Sequence, residues 1–398
     1  MGCKLQMNLM EKLRYGSWAW MVALAIQQID PVIAADSPDA TMGMATESAW
    51  PMYRGNPSLN GVSPAKIGPK LKEVWQFEAE HSIKSSAAIV DGRVFIGSDD
   101  GFIYALNLKN GKQIWKYETL GNVESSPLVL GDYVYVGSGD GFVYKLATKD
   151  GSLAWKYETE DQVLGAPNWI MSPDGKEPWI LAGSYDFKLH CIKASDGSKV
   201  WDYETGNYIN GTPAVSNGQT VFGGCDALLH VIQLSDGKKV KEIEAGAYIA
   251  GSVAMAGSKV YVGHYESEFL CFDLEKGELA WKYRDRSFPY YSSPAIAGDR
   301  VLTGCRDRQL HCLNRDTGEK IWTFPTRGKV DSSPVVVGDE VIFGSQDGRL
   351  YRVRISDGKE IQSIDLGQPL TGSPAVINDW VVIGSEDGNV YGFQSVTD

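Results

Sequence analysis

From Ser82 onward, short apolar runs recur along the chain, separated by turns rich in glycine, aspartate and asparagine. In the first copy the pattern predicts four strands, Ser86–Val90, Arg93–Gly97, Phe102–Leu106 and Gln113–Glu118. Asp91-Gly92, Asp99-Asp100-Gly101 and Lys109-Asn110-Gly111 punctuate them, with glycine supplying the positive φ angles that tight hairpins need. Landmark glycines then fall at 97, 137, 183, 223, 263, 304, 344 and 384, in steps of 40 or 41 residues except one of 46. The long step holds a turn-rich insertion around Ser172–Pro178. Eight copies of a four-stranded antiparallel unit predict an all-β, eight-bladed β-propeller. The eighth copy stops after its third strand, whereas Leu71–Glu78 reads as an outermost strand lacking its first three. That N-terminal strand is expected to complete the last blade and leave no unpaired seam.

The repeated residues read first as structure. Small residues open the innermost strands, as in Ser125-Ser126-Pro127, Gly211-Thr212-Pro213 and Ser332-Ser333-Pro334, because eight strands crowd one axis. Trp115, Trp155, Trp201, Trp281 and Trp322 close most copies, with Trp75 in the strand supplied from the N-terminus. Each indole is expected to cover the neighbouring blade and bury a large apolar area. Val240 and Ile361 are read as its replacements in the other two copies. Cys191, Cys271 and Cys312 share the slot of Ala105, where cysteine acts as a small hydrophobe. Cys225 and Cys305 follow landmark glycines out of register with each other, and no CxxC or CxxH pair predicts a metal site. His190, His230 and His311 stand where other copies carry Tyr104 or Tyr144, so they lie on different blades and serve as aromatic substitutes.

Composition agrees and removes some functions. In 398 residues there are 44 glycines against 17 prolines, which fits many tight turns in one all-β domain. A net charge of -12 argues against nucleic acid and anionic membrane surfaces as partners. Lys4, Lys12 and Arg14 precede an apolar run from Trp18 to Ile26 and a small-residue site at Val32-Ile33-Ala34-Ala35. Residues 1–35 thus read as a secretory signal peptide and 36–49 as a polar spacer before a propeller of residues 50–398. The apolar run is too short to span a bilayer, so no transmembrane segment is expected in the mature chain.

The unit resembles the pyrroloquinoline quinone (PQQ) repeat, whose docking motif stands here as ALNLKNGKQIW at Ala105, CFDLEKGELAW at Cys271 and CLNRDTGEKIW at Cys312. The resemblance runs from about residue 50 to the C-terminus. Its lead-in, Trp50-Pro-Met-Tyr-Arg-Gly-Asn-Pro57, is similar to the segment before such propellers in exported bacterial proteins. One branch, the quinoprotein dehydrogenases, holds PQQ and calcium on the axis. The resemblance implies that such a site needs a catalytic aspartate and calcium-binding Glu and Asn on long loops, often with adjacent cysteines. This chain has short steps and no Cys-Cys pair. The other branch is similar to BamB, a propeller lipoprotein that acts as a scaffold in outer-membrane β-barrel assembly. Size and blade count match it, although Cys3 precedes the apolar run and no lipid-attachment cysteine follows it.

The expectation is an exported, monomeric, non-enzymatic scaffold, periplasmic or secreted, that binds a protein or peptide without a cofactor. The alternative is a PQQ- and calcium-binding oxidoreductase or cofactor-binding sensor. A hydrolase needs a clustered carboxylate pair or an activated nucleophile, and the acids here are mostly turn residues such as Asp99, Asp100 and Asp347. No catalytic residue is assigned. Loops entering the innermost strands are expected to form the binding mouth of the channel, since function concentrates on loops held by a rigid frame. They carry His81, Lys84, Glu124, Gln162, Tyr208, Asn210, Tyr248, Tyr290, Tyr291, Lys329, Asp331 and Gln368. This makes the mouth aromatic at blades four to six and charged at blades seven, one and two.

Overall fold

The computed structural model describes residues 44–397; the signal-peptide reading and most of the spacer lie outside them. Every regular element among the described residues is a strand, and no helix there is long and apolar enough to cross a membrane. Eight four-stranded antiparallel blades follow one another along the chain, and Val62–Ser63 adds a short parallel strand to the inner edge of blade seven. In blade one the second and fourth strands, Arg93–Gly97 and Gln113–Glu118, match the expectation, and the third runs Phe102–Asn107. The first begins at Ala88, two residues later than expected. Ser85 and Ser86 are held by the next blade instead: Ser85 Oγ donates to the Ser125 carbonyl and the Ser86 N–H to Ser126 Oγ.

The landmark glycines owe their identity to the neighbouring blade. A Cβ on Gly97 would run into Val123, the apolar residue that opens the next connection. The same clash repeats between Gly137 and Val163 and between Gly304 and Val330. These plugs are fully buried, so each blade seats its neighbour by one small-to-large contact.

The tryptophans fix the outer rim. The Trp115 indole packs on Gly151, 2.7 Å from the place its Cβ would take, and Nε1 donates to the Thr148 carbonyl at 3.0 Å. Trp75, Trp155, Trp201, Trp281 and Trp322 repeat this bond to Leu108, Ala194, Leu234, Arg315 and Ile355. Pairing register corrects the two exceptions. Val231 faces Lys241 and Arg352 faces Gln362 as Ala105 faces Trp115, so Lys241 and Gln362 hold the tryptophan position, not Val240 and Ile361.

Gln362 meets blade eight, whose third and fourth strands come from opposite ends of the chain and offer no glycine turn. It exchanges two hydrogen bonds with the backbone of Leu71 instead, at 2.8 and 2.9 Å. Lys241 donates to the Leu274 carbonyl at 2.5 Å, as an indole would, but leaves a crevice of about 270 Å³ beside Val231, Val240 and Met255. Lys241→Trp is therefore expected to fill it and add about 1–2 kcal/mol, the usual yield of cavity filling. The urea midpoint checks this; an unchanged or lower midpoint would show that the lysine bond serves the site better.

The ring closes as the sequence implies. Lys70–Glu78 pairs antiparallel with Asn389–Val396, from Lys70 opposite Val396 to Glu78 opposite Asn389. The lead-in ahead of it has a further role. Its carbonyls accept the inward N–H groups of successive blades: Trp50 from Ile89, Pro51 from Val129, Pro57 from Val215, Ser58 from Met255, Asn60 from Ile296 and Gly61 from Val336. Blade three joins through Asn168 Nδ2 to the Pro57 carbonyl. Blade eight joins through the Asn378 N–H to Glu47, within the stretch read as spacer. One segment thus circles inside the ring and caps inner edges that would otherwise face the channel unpaired. Arg54 lies buried within it, donating from Nη2 to the Pro294 carbonyl, and burial pulls its pKa down to about 10.

Candidate functional site: the channel mouth

Above the lead-in, two concentric rings of side chains surround the axis. The deeper ring is Ser86, Ser126, Ala166, Thr212, Ser252, Ser293, Ser333 and Ser373. Seven hydroxyls there each accept the N–H of the adjacent blade, at 2.8 to 3.1 Å, and only Ala166 breaks the circle. Tyr53 from the lead-in donates to Ser293 Oγ at 3.0 Å and lies 3.0 Å from Ser333 Oγ. Crowding explains why these residues are small; the circular hydrogen bonding explains why they carry hydroxyls. The cavity enclosed here is about 170 Å³.

The upper ring is Lys84, Glu124, Leu164, Asn210, Ala250, Tyr291, Asp331 and Thr371. Five of the expected mouth residues, Lys84, Glu124, Asn210, Tyr291 and Asp331, therefore meet at one opening. The charges there are paired. Lys84 Nζ lies 2.8 Å from Glu124 and 2.9 Å from Asp99. Burial works against the charged lysine, but these two hydrogen bonds outweigh it and hold its pKa above the ordinary value. Arg306 grips Asp331 through Nε and Nη2 at 2.8 to 3.2 Å and stacks 3.6 Å from the Tyr291 ring centre. His81, Gln162, Lys329 and Gln368 are exposed and do not line this cavity.

Tyr290 is a correction: it is 1% exposed and is the plug against Gly263, sharing the register of Val123 and Ile209. Adjacent residues in an extended segment point opposite ways, so only Tyr291 reaches the mouth.

Outside the upper ring an aromatic arc spans blades three to six. Tyr208, 40% exposed, stacks on Tyr185 at 4.7 Å and meets Phe187 edge-on at 5.2 Å. Tyr265 lies 6.1 Å from Tyr291 and shares a notch with Tyr248. Burial raises the pKa of Tyr185 and Tyr291, keeping their phenols neutral. Tyr185, Phe187, Tyr265 and Arg306 escaped the sequence reading because they sit on the turn after the second strand, not on the entering loop. The backbone N–H of Tyr265 bonds to the Tyr248 carbonyl, so the two loops form one surface.

At one turn position the backbone strain falls on the same half. Blades one, two, seven and eight use Gly101, Gly141, Gly348 and Gly388 at one left-handed turn position; blades three to six use Phe187, Ala227, Ser267 and Arg308, at φ of 63 to 71°. Each non-glycine costs about 1–2 kcal/mol there.

Two remaining groups are structural in their contacts. His190, His230 and His311 take the tyrosine slot, as expected, and their Nε2 atoms lie 2.8 to 3.2 Å from Asp186, Asp226 and Asp307. Cys305, Asp307 and His311 bring three possible metal-ligand atoms within 4.8 Å, a grouping that residue spacing did not reveal. Cys305 takes the place of Ser98 in that turn, and both nitrogens of His311 are occupied, by Asp307 and Tyr283.

The architecture defines an eight-bladed propeller of quinoprotein-type blades. The sequence profile of the family described as outer membrane protein assembly factor BamB matches residues 69–177 and 287–397, and the chain belongs to that family. The stretch between these matches carries Tyr185, Phe187, Tyr208, Tyr248 and Tyr265. No curated protein matches the sequence. Among solved structures the chain is similar to BamB from Moraxella catarrhalis, at TM-score 0.68 and 21% identity over 82% of this chain and 98% of that one. It is also similar to the computationally designed protein Ika8, at TM-score 0.72 and 16% identity over 81% and 99%. Quinohemoprotein alcohol dehydrogenase from Comamonas testosteroni superposes at TM-score 0.76 and 12% identity, over 88% and 81%. At these identities the structural likenesses establish the fold.

Proposed function

We propose that this chain is a non-catalytic scaffold, exported to the cell envelope, that docks a segment of a protein partner on the aromatic half of its channel mouth. The arc of Tyr185, Phe187, Tyr208, Tyr248, Tyr265 and Tyr291 carries the reading. It gathers large rings on loops of a rigid frame, and aromatic residues supply contact area at small entropic cost. The strained turns on that half support it, since strain tends to persist at functional sites. The leader-like N-terminus and the family's assembly-factor description support the envelope location.

The axis suits PQQ poorly. The PQQ carboxylates would meet Glu124 and Asp331, while Lys84 and Arg306 are already paired. We therefore assign no cofactor and derive no chemistry from one.

Replacing Tyr208, Tyr248 and Tyr291 together by alanine is expected to leave the fold intact by circular dichroism. It should lower capture of envelope partners by about tenfold or more, the scale of a hot-spot loss. Unchanged capture would overturn the reading, as would stoichiometric PQQ and calcium binding by the wild-type chain.

A further inference from the structure

Each blade places an acid three residues after its landmark glycine, from Asp100 to Asp387. In six blades the carboxylate is bonded to the tyrosine or histidine four residues on: Tyr104, Tyr144, His190, His230, His311 or Tyr351. In blade eight Asn389 holds Asp387. Blade five differs at both ends of this bond. The acid is Glu266, longer by one methylene, and the residue four on is Leu270, which offers no polar atom. Among the described residues the Glu266 carboxylate makes no ion pair or hydrogen bond, and the residue is exposed.

Glu266 is also beside two open rings. Tyr248 is 56% exposed and Tyr265 51%, and with Ala227, Gly246 and Ala247 they line one open notch with Glu266 between blades four and five. The neighbouring ring shows what such a face accepts, for Arg306 lies flat on Tyr291, which adjoins Tyr265. A carboxylate without a partner next to exposed tyrosine faces attracts a cation on two counts, by charge and by the ring quadrupole. A planar guanidinium satisfies both together, stacking while it donates hydrogen bonds.

We propose that the notch of Tyr248, Tyr265 and Glu266 receives an arginine side chain of the docked partner. The inference rests on the aromatic half being the docking face, and it assigns that face its specificity. The left-handed Ala227 and Ser267 stand in the turns on either side of the notch, where blades one, two, seven and eight use glycine.

The test uses the full chain labelled with 3-fluorotyrosine and followed by fluorine NMR. Nα-acetylarginine N-methylamide is expected to shift the Tyr248 and Tyr265 signals saturably. The isosteric, uncharged citrulline analogue should bind about tenfold more weakly, having lost both attractions. Glu266→Gln should weaken the arginine probe about fivefold with the melting temperature unchanged. Equal response to citrulline, or no effect of Glu266→Gln, overturns the proposal. Choline binding as tightly as the arginine probe also overturns it, because the notch is then a quaternary-ammonium site. If the triple tyrosine variant loses partner capture while Glu266→Gln changes nothing, the docking face stands and only the arginine assignment fails. If neither variant has an effect, both fail.

Discussion

A chain that begins at Ala79 is expected not to form a monomeric ring, whereas one that begins at Pro69 keeps the closing strand. The difference is the strand Lys70–Glu78. Without it Asn389–Val396 becomes an open edge, with Tyr391 and Phe393, now buried, left partly uncovered. The buried Leu71 and Trp75 go with it. Losing a buried leucine or tryptophan costs roughly 2–5 kcal/mol each, before any backbone bond is counted. Two such losses rival the entire net stability of a domain, about 5–15 kcal/mol. The open edge also templates pairing with other chains, so aggregation follows unfolding. The chain from Pro69 keeps the strand but gives up the buried Trp50, Met52 and Leu59 together with the inner-edge caps, so it separates the loss of the lead-in from the loss of closure. Size-exclusion chromatography with light scattering separates the cases. A native-like monomer from Ala79 would mean that the blades hold together without closure.

Trp115→Ala is expected to cost about 3–5 kcal/mol. The indole is buried, and its loss opens a void over Gly151 and leaves the Thr148 carbonyl with the 3.2 Å bond from Arg93 alone. Trp155→Ala should cost less, because Trp155 is only half-buried. Urea unfolding checks the order. Equal losses, or a Trp115 loss below about 1 kcal/mol, would show that the docking bond and not the buried ring holds the rim.

The blades were legible because eight copies pose the same structural problem. A glycine under Val123, a glycine under Trp115 and a small residue at the axis must recur wherever a blade meets its neighbour, and recurrence can be counted. Register errors arose where a copy departs from the pattern. Lys241 and Gln362 were displaced by one residue because a hydrophobic neighbour was taken for the substitute. Lys241 imitates the indole's hydrogen bond with an amine, and Gln362 answers a blade that lacks the docking turn. The mouth was half legible. Lys84, Glu124, Asn210, Tyr291 and Asp331 occupy the equivalent position in their copies and do converge, whereas Tyr290 is one residue out of that register.

By itself the sequence determined the repeat, the blade count, the closing strand and the residue types that each interface demands, since these follow from local turn chemistry and a fixed period. Only the tertiary structure decided which loops lie side by side. Residues from three connections and two turns, distant along the chain, form one aromatic arc because the ring curvature brings them onto the same face. The lead-in, which repeats nothing, shows its purpose only when eight inner strand edges surround it, each with a polar group that must find a partner. Glu266 likewise stands out only against seven acids that are already bonded.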